Sequence, residues 1–511
     1  ETNEGITIKD NRKDYGGRLN ANFKLFDGWL EIRPIVDYRQ TARTSDGSDE
    51  DKKANFKQAL YNNPTRSPFD PESPTGYNVW TGETLDYNIV ADRMLTDYEG
   101  LDKWFKPEVT MKLNIKPIEG LSYSQTLGYE NRQWELHQFR SRYHRDEVTN
   151  NRGGWAKLEF SKTEHLTSEG YFTYLKEFKG GHSLNAVAGY SYFEKNGENF
   201  NAENYDFGVE GLKYWDLGAG SYLTDGKAAM GSGKNITERL FALYARANYS
   251  YNDKYMVSAT IRHEGSSKFA AENRWGNFWS FGASWRISQE DFMENLTWVD
   301  NLKLRASYGE TGNDAIYYTD DDTQQDYYPY QTLYNLGINN GSEAGLYFPT
   351  MANNNLKWET QVSTDVALEF GLFGRLNGTV EFFRKASRDL LFNVSQPLSS
   401  GVEKIVQNIG KVRNQGVEID LNYQVLKSKD WKLSVGANAT FINNKVTRLP
   451  DANRKDGIIK DSKKLMEGHS IYEFWLRQWW GVNPDNGDGL YIFDAENNTD
   501  ANGNIKDGVK K

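Results

Sequence analysis

The sequence predicts an all-β chain, a large transmembrane antiparallel β-barrel, from three observations. Apolar and polar residues alternate strictly over unusually long stretches. The alternation recurs from one end of the chain to the other. Short turns alternate with long polar connections. The clearest stretch runs from Trp431 to Phe441. There Trp431, Leu433, Val435, Ala437, Ala439 and Phe441 fall on one face, and Lys432, Ser434, Gly436, Asn438 and Thr440 on the other. Successive side chains of a strand point to opposite faces, so this is a strand with one apolar and one polar side. Strands of soluble proteins average about 5–6 residues, whereas one that crosses a bilayer needs about 9–11.

The other elements follow in chain order. Leu19, Ala21, Phe23 and Leu25 alternate with Arg18, Asn20, Asn22 and Lys24. Val109, Met111, Leu113 and Ile115 alternate with Thr110, Lys112 and Asn114. Phe241, Leu243, Ala245, Ala247 and Tyr249 share a face, as do Tyr255, Val257, Ala259 and Ile261. Trp279, Phe281, Ala283, Trp285 and Ile287 oppose Ser280, Gly282, Ser284, Arg286 and Ser288. Leu302, Leu304, Ala306 and Tyr308 oppose Lys303, Arg305 and Ser307, and Val417, Ile419, Leu421 and Tyr423 oppose Glu418, Asp420 and Asn422. Roughly sixteen such segments are present, as a barrel requires.

Composition agrees. No shift along the 511 residues marks a linker between soluble domains. The mean hydropathy of −0.77 is that of a soluble chain, but barrel strands are half polar by construction, so the average does not exclude a membrane. Aromatic residues make up 14% of the chain, with 31 Tyr and 15 Trp, enough for girdles at two membrane interfaces or for ordinary cores. A net charge of −10 argues against nucleic acid as a partner. The absence of cysteine removes disulfides, thiol catalysis and cysteine metal sites.

Short connections are expected at Asp27-Gly28, Pro117 to Gly120, Tyr251 to Lys254, Gly374 and Ser428 to Asp430. Long polar ones are expected at Gln40 to Lys103, Gly197 to Thr237, Thr311 to Asn355 and Val446 to Ser470. Outer-membrane barrels keep short turns on the periplasmic side and long loops outside. The stretch from Asn131 to Tyr171 reads equally as one long loop or an extra hairpin, and Ser288 to Asp300 is long enough for a helical turn. The first residue is Glu and the last stretch, DANGNIKDGVKK, is polar turn material. A sheet in lipid must close, so residues 1–511 are expected to be one barrel domain, incomplete at both ends and internal to a longer precursor.

The chemistry of known catalytic motifs is missing. MGSGKN (Met230 to Asn235) fails as a phosphate loop, because Ala228 stands for its first glycine and Asn235 for its Ser or Thr. DANGN (Asp500 to Asn504) fails as a calcium loop, with Ile505 at the glycine and Lys511 at the bidentate Glu. The six histidines lack metal-ligand spacing, and no nucleophile elbow is present. No enzyme, cofactor or metal site is expected. The candidate ligand-binding residues lie in aromatic, acid-rich outer loops. They are Trp80, Tyr317, Tyr318, Asp320, Asp322, Tyr327, Tyr328 and Tyr330. Aromatic faces beside carboxylates suit sugars or peptides. A solvated loop with scattered aromatics is the competing reading.

Several runs resemble the SusC/RagA-type TonB-dependent outer-membrane transporters. The strongest is YARANYSYNDKYMVSATIRHEGSSKFAAENRWGNFWSFGASWRISQEDFM (Tyr244 to Met293), continuing into LKLRASYGETGN (Leu302 to Asn313). Others are YNNPTRSPFD (Tyr61 to Asp70), NLKWETQVSTDVALEFGLF (Asn355 to Phe373), NIGKVRNQGVEIDLNY (Asn408 to Tyr423), and EGHSIYEFW leading to WWGVNPDNGDGLY (Glu467 to Tyr491). Glu264, Ala270 and Trp279 depart from the family's usual Asp, Gly and Pro. The resemblance implies a barrel of about 22 strands filled by an N-terminal plug that this chain lacks. It also implies a SusD-like surface lipoprotein as lid, energy from TonB-ExbB-ExbD acting through the plug, location in the bacterial outer membrane, and an oligosaccharide or oligopeptide ligand. A passive porin and a soluble carbohydrate-binding β protein are the alternatives.

Overall fold

A computed structural model describes residues 2–5, 8–44, 57–80, 87–224, 226–317, 325–332, 335–336, 346–347, 351–396, 399, 401–402, 404–460 and 462–492. The chain divides into two units, Glu1–Phe281 with Asp314–Gln331, and Gly282–Asn313 with Thr332–Lys511.

The first unit is an antiparallel meander. Its strands are β1 (Thr2–Glu4), β2 (Asn11–Asn20), β3 (Phe23–Leu25), β4 (Leu30–Thr44), β5 (Thr96–Asn114), β6 (Leu121–Arg140), β7 (Trp155–Phe178), β8 (His182–Tyr205), β9 (Ala229–Tyr251) and β10 (Tyr255–Ser266), with β11 (Trp275–Arg286) beginning in it. They lie side by side in chain order, and only β3, which pairs with β4, is off the path. Such an order follows from short connections between neighbours and contains none of the four-stranded blades of a propeller.

The short connections fall at one end, as expected. Phe26-Asp27 and Asn252-Asp253 have positive φ at both central positions, the backbone whose twist matches that of a hairpin. At the turn from β5 to β6, Gly120 has φ +86, and a Cβ there would run into the Leu175 carbonyl oxygen.

At the other end the strands run further than the alternation predicts. The polar stretches Gln40 to Lys103 and Gly197 to Thr237 are only partly loop, since β4 runs to Thr44, β5 starts at Thr96, β8 reaches Tyr205 and β9 starts at Ala229. Above a bilayer both faces of a strand meet water, so alternation fades while the ladder continues. The Asn131 to Tyr171 stretch is a hairpin of β6 and β7, joined through a short helix. The segment Leu19 to Leu25 is two strands rather than one. Pro34 faces the break and has no N–H to give, although Ala21 N still donates to Pro34 O (3.2 Å). MGSGKN lies in extended β9, which a phosphate loop does not share. SDGSDEDKK (Ser45 to Lys53) and DANGN lie outside the described residues.

The second unit has β12 (Val299–Asn313), β13 (Asn335–Leu336), β14 (Leu346–Tyr347), β15 (Glu359–Leu372), β16 (Leu376–Arg388), β17 (Leu391–Ser395), β18 (Lys404–Asn408), β19 (Lys411–Lys427), β20 (Lys432–Arg448), β21 (Ile458–Lys460), β22 (Lys463–Leu465), β23 (Trp479–Val482) and β24 (Gly489–Tyr491). Strands β12, β15, β16, β19 and β20 pair in that order, and the rest form two-stranded ribbons. Before β12, single turns at Ile287–Gln289 and Asp291–Met293 supply the helical turn the sequence allows.

Register turns the alternation into continuous rows. Leu304, Leu368, Val380, Ile419 and Ala439 are successive cross-strand partners, and so are Ala306, Val366, Phe382, Val417 and Phe441. Leu304, Val366, Leu368, Val380, Phe382 and Phe441 are exposed. A contiguous, exposed apolar face of this extent belongs against hydrocarbon. The opposite face of the same strands carries Lys303 and Arg305, which pair with Glu369 at 3.5 and 3.0 Å, and Arg305 also pairs with Glu381. In the first unit the apolar row is Ala186, Ala247 and Ala259, then Ala188, Ala245 and Ile261. In the first unit, a cluster of buried side chains lies at the long-loop end, where Phe139, Ala156, Phe207 and Tyr214 pack with Leu158 and Leu217.

Candidate functional site: the polar wall and the long-loop end

The pleat places Asp37, Arg39, Thr41 and Arg43 of β4 opposite the apolar face that carries Val36 and Tyr38. Their partners on β5 are Lys106, Trp104, Asp102 and Gly100. On β6 the same rows continue with Glu130, Arg132, Trp134 and Leu136. With Trp155 of β7, the partner of Arg140 on the same face, this polar wall carries three tryptophans next to cations. Arg39 Cζ lies 5.7 Å and Lys106 Nζ 5.8 Å from the Trp104 ring centre, Arg43 Cζ 5.9 Å from that of Trp134, and Arg140 Cζ 4.7 Å from that of Trp155. Trp134 crosses over β5 because residue 100 is glycine, and a Cβ there would strike its ring. Its carboxylates are engaged. Arg132 donates two bonds to Asp102 (3.1 and 2.8 Å). Glu130 lies 3.9 Å from Lys106 and 3.5 Å from His165, and Asp37 4.0 Å from Arg18.

A second feature lies at the long-loop end. Lys268, in the Gly-Ser-Ser-Lys-Phe run after β10, is 1% exposed. Its Nζ lies 2.7 Å from Glu238 and 3.5 Å from Asp314. Ser266 Oγ donates to Asp314 (2.7 Å). Tyr327 caps the cluster at 5.7 Å from Lys268 Nζ, and Lys195 Nζ donates to the Tyr327 hydroxyl (3.1 Å). Phe269, next to Lys268 in sequence, and Ile316, two residues after Asp314, are buried. A buried ammonium needs such pairing to stay charged at tolerable cost.

The structure separates the sequence candidates. Tyr327 is 8% exposed and committed to the lysines. Asp326, not singled out from sequence, is buried beside it; burial pushes its carboxyl above the ordinary range, against the Tyr328 N–H that it accepts at 2.8 Å. Tyr330 accepts from Gln331 Nε2 (2.9 Å) and Tyr328 is half-buried. Tyr317 pairs with Gln325 through a bridge and is 46% exposed. Trp80 lies elsewhere, 5.4 Å from the Arg66 guanidinium. Tyr318, Asp320 and Asp322 lie outside the described residues.

A third group joins two short helices, α1 (Ile89–Met94) and α2 (Arg145–Thr149). Asp92 lies 3.8 Å from His144 and 3.7 Å from Arg145, whose guanidinium stacks 3.9 Å over Tyr87. Burial pushes Asp92 up to about 7 and His144 down to about 4. Burial favours the neutral form of each, which works against an ion pair between them. Nearby, His137, Tyr214 and the 73%-exposed Trp215 form an aromatic shelf, with Tyr214 5.0 Å from Trp215 and 5.1 Å from His137. Burial and the Glu99 carboxylate push the Tyr214 hydroxyl up to about 12.

These arrangements can hold a ligand but show no nucleophile with its base. Among the described residues no three His, Cys, Asp or Glu groups converge for a metal. Sequence reasoning missed Arg39, Arg43, Trp104, Trp134, Trp155 and Lys268. One signal was available, because Trp104 falls out of phase with Phe105, Val109, Met111 and Leu113 on β5.

Comparison with known proteins gives a coherent set of similarities. A family model described as "TonB dependent receptor-like, beta-barrel" matches residues 46–508. TonB-dependent receptor P3 of Formosa agariphila is 30% identical over 381 residues, 71% of this chain and 36% of that protein. TonB-dependent receptor SusC of Bacteroides thetaiotaomicron is 31% identical over 242 residues, 45% of this chain and 23% of that one. Among solved structures, the RagAB peptide transporter superposes with a TM-score of 0.77 at 21% identity, over 97% of this chain and 53% of that chain. The chain thus spans little more than a third of the curated receptor P3 and about half of the RagAB chain.

Proposed function

Since the chain belongs to the TonB dependent receptor-like β-barrel family of the outer membrane, whose members are receptors and transporters rather than enzymes, we propose that it forms the wall of an energised importer of oligomeric nutrients, glycans or oligopeptides. The carrying observation is the two-faced wall. One face is apolar and exposed, and the other is lined with indoles and cations. The similarity to SusC and to a peptide transporter supports this reading. In it, a SusD-like surface lipoprotein closes the long-loop end over the ligand. TonB-ExbB-ExbD acts through a plug inside the barrel, and the plug's movement opens a path along the polar wall.

Uptake by whole cells tests this. Accumulation of the nutrient is expected to stop when TonB is deleted and to fall when the SusD-like lipoprotein is deleted. Accumulation that survives loss of TonB refutes the reading in favour of a passive porin.

A further inference from the structure

We infer that the upper polar wall of β4, β5 and β6 is a subsite for an anionic oligosaccharide. Trp104 and Trp134 take the sugar rings, and Arg39 and Arg43 take the acid groups. The inference rests on the import reading above and names the ligand class.

Four observations carry it. First, the carboxylates named on this wall, and Asp14 of the neighbouring β2, already have cations, whereas among the described residues Arg39 and Arg43 make no ion pair and each lies against an indole ring. Arg43 Nε is shielded from solvent and has no hydrogen-bond partner. Second, their ring contacts are at the outer edge of useful cation–π distance, about 6 Å, so a carboxylate or sulfate displaces them at little cost and gains a two-pronged bond. Third, Arg132 is the direct partner of Trp104, so Trp134 is its diagonal neighbour, roughly 7–8 Å away. Two flat apolar surfaces therefore succeed each other along an obliquely lying chain, and Gly100 gives the second its bed. Fourth, the backbone groups of β5 and β6 are spent in ladders with β4, with each other and with β7. A peptide that binds by adding a strand to a sheet edge needs main-chain partners and finds none here, while a sugar needs none. The net charge of −10 does not steer such a ligand from afar. Recognition therefore acts at contact range, inside the roughly 8 Å over which charge is felt at physiological salt.

Titration calorimetry on the full-length transporter in detergent tests this, with hexagalacturonate, maltohexaose and hexaglutamate as probes. Hexagalacturonate is expected to bind. Arg39→Gln/Arg43→Gln should weaken it by about tenfold or more, the scale of one lost charge-assisted pair. Maltohexaose should be indifferent to that change, and Arg39→Lys/Arg43→Lys should restore part of the binding. Heat-modifiable mobility on gels confirms that each variant is folded. The inference is overturned by wild-type protein that does not bind hexagalacturonate, by a double Gln variant within twofold of wild type, or by hexaglutamate that binds as tightly and responds to the same change. None of these outcomes touches TonB-dependent uptake in cells, so import can stand while the subsite falls.

Discussion

Replacing Lys268 by Met should loosen the residues around Asp314 and Tyr327 without unfolding the sheet. The methionine keeps the stem's volume but removes the ammonium 2.7 Å from Glu238 and 3.5 Å from Asp314. The side chains of Glu238 and Asp314 are only 11% and 17% exposed, so solvent screens them little. Removing one partner of a buried pair costs about 3–5 kcal/mol, because the other charge is left uncompensated. Here two carboxylates are left facing each other. The cost falls on residues 314–317 and 325–331, which Lys268, Ser266 and Lys195 hold through Asp314 and Tyr327. A loss of about 3 kcal/mol raises its open population by roughly two orders of magnitude. Hydrogen exchange read by mass spectrometry, peptide by peptide, should therefore show loss of protection over Ile316, Asp326 and Tyr327, with β9 and β10 unchanged. A triple variant, Lys268→Met/Glu238→Gln/Asp314→Asn, should recover much of the protection, because neutral partners no longer repel. Unchanged protection in Lys268→Met, or no recovery in the triple variant, would refute the argument.

Three further outcomes follow from the same geometry. In the α1/α2 corner, the raised Asp92 withdraws stability as pH climbs from its unfolded value toward about 7, while the depressed His144 withdraws it as pH falls from about 6.5 toward 4. The two oppose each other, so protection factors of the corner should be nearly flat between pH 4 and 7 in wild type and should fall on acidification in Asp92→Asn; a flat profile in the variant removes the assignment. Val380→Arg places a cation in the apolar row near the middle of β16, at a cost of about 2–4 kcal/mol, whereas Thr379→Arg on the other face should leave folding into vesicles nearly unchanged. Equal losses would mean that the faces are assigned wrongly. Gly120→Val meets both the positive φ and the Leu175 carbonyl, and should lower the temperature of heat-modified migration where Ile118→Val at the same turn does not.

Much of the fold is legible in the order of residues because a strand in a bilayer obeys a local rule. Each pleat exchanges lipid for water, so Leu302 to Tyr308 or Val417 to Tyr423 declares its two faces with no knowledge of its partners. The tight turns at Asn252-Asp253 and Phe373-Gly374 are local as well, since they need only residues tolerant of positive φ. That rule fails where its cause ends. Above the bilayer β8 continues to Tyr205 with polar residues on both faces, and sequence alone reads it as loop.

The candidate site was harder to see. Tyr327 looks like a free aromatic in an acidic loop until the chain brings it over Lys268 and Lys195, distant in sequence. Arg43 and Trp134 meet only because β5 lies between them and carries glycine at residue 100. By itself the sequence determined the alternating middle of most long strands, their apolar side and the family they resemble. Tertiary structure alone decided which polar side chains share the wall, which carboxylates are already neutralised, and which guanidiniums are left over. Alternation is written between neighbours in the chain, whereas a binding surface is written across strands whose register no single strand contains.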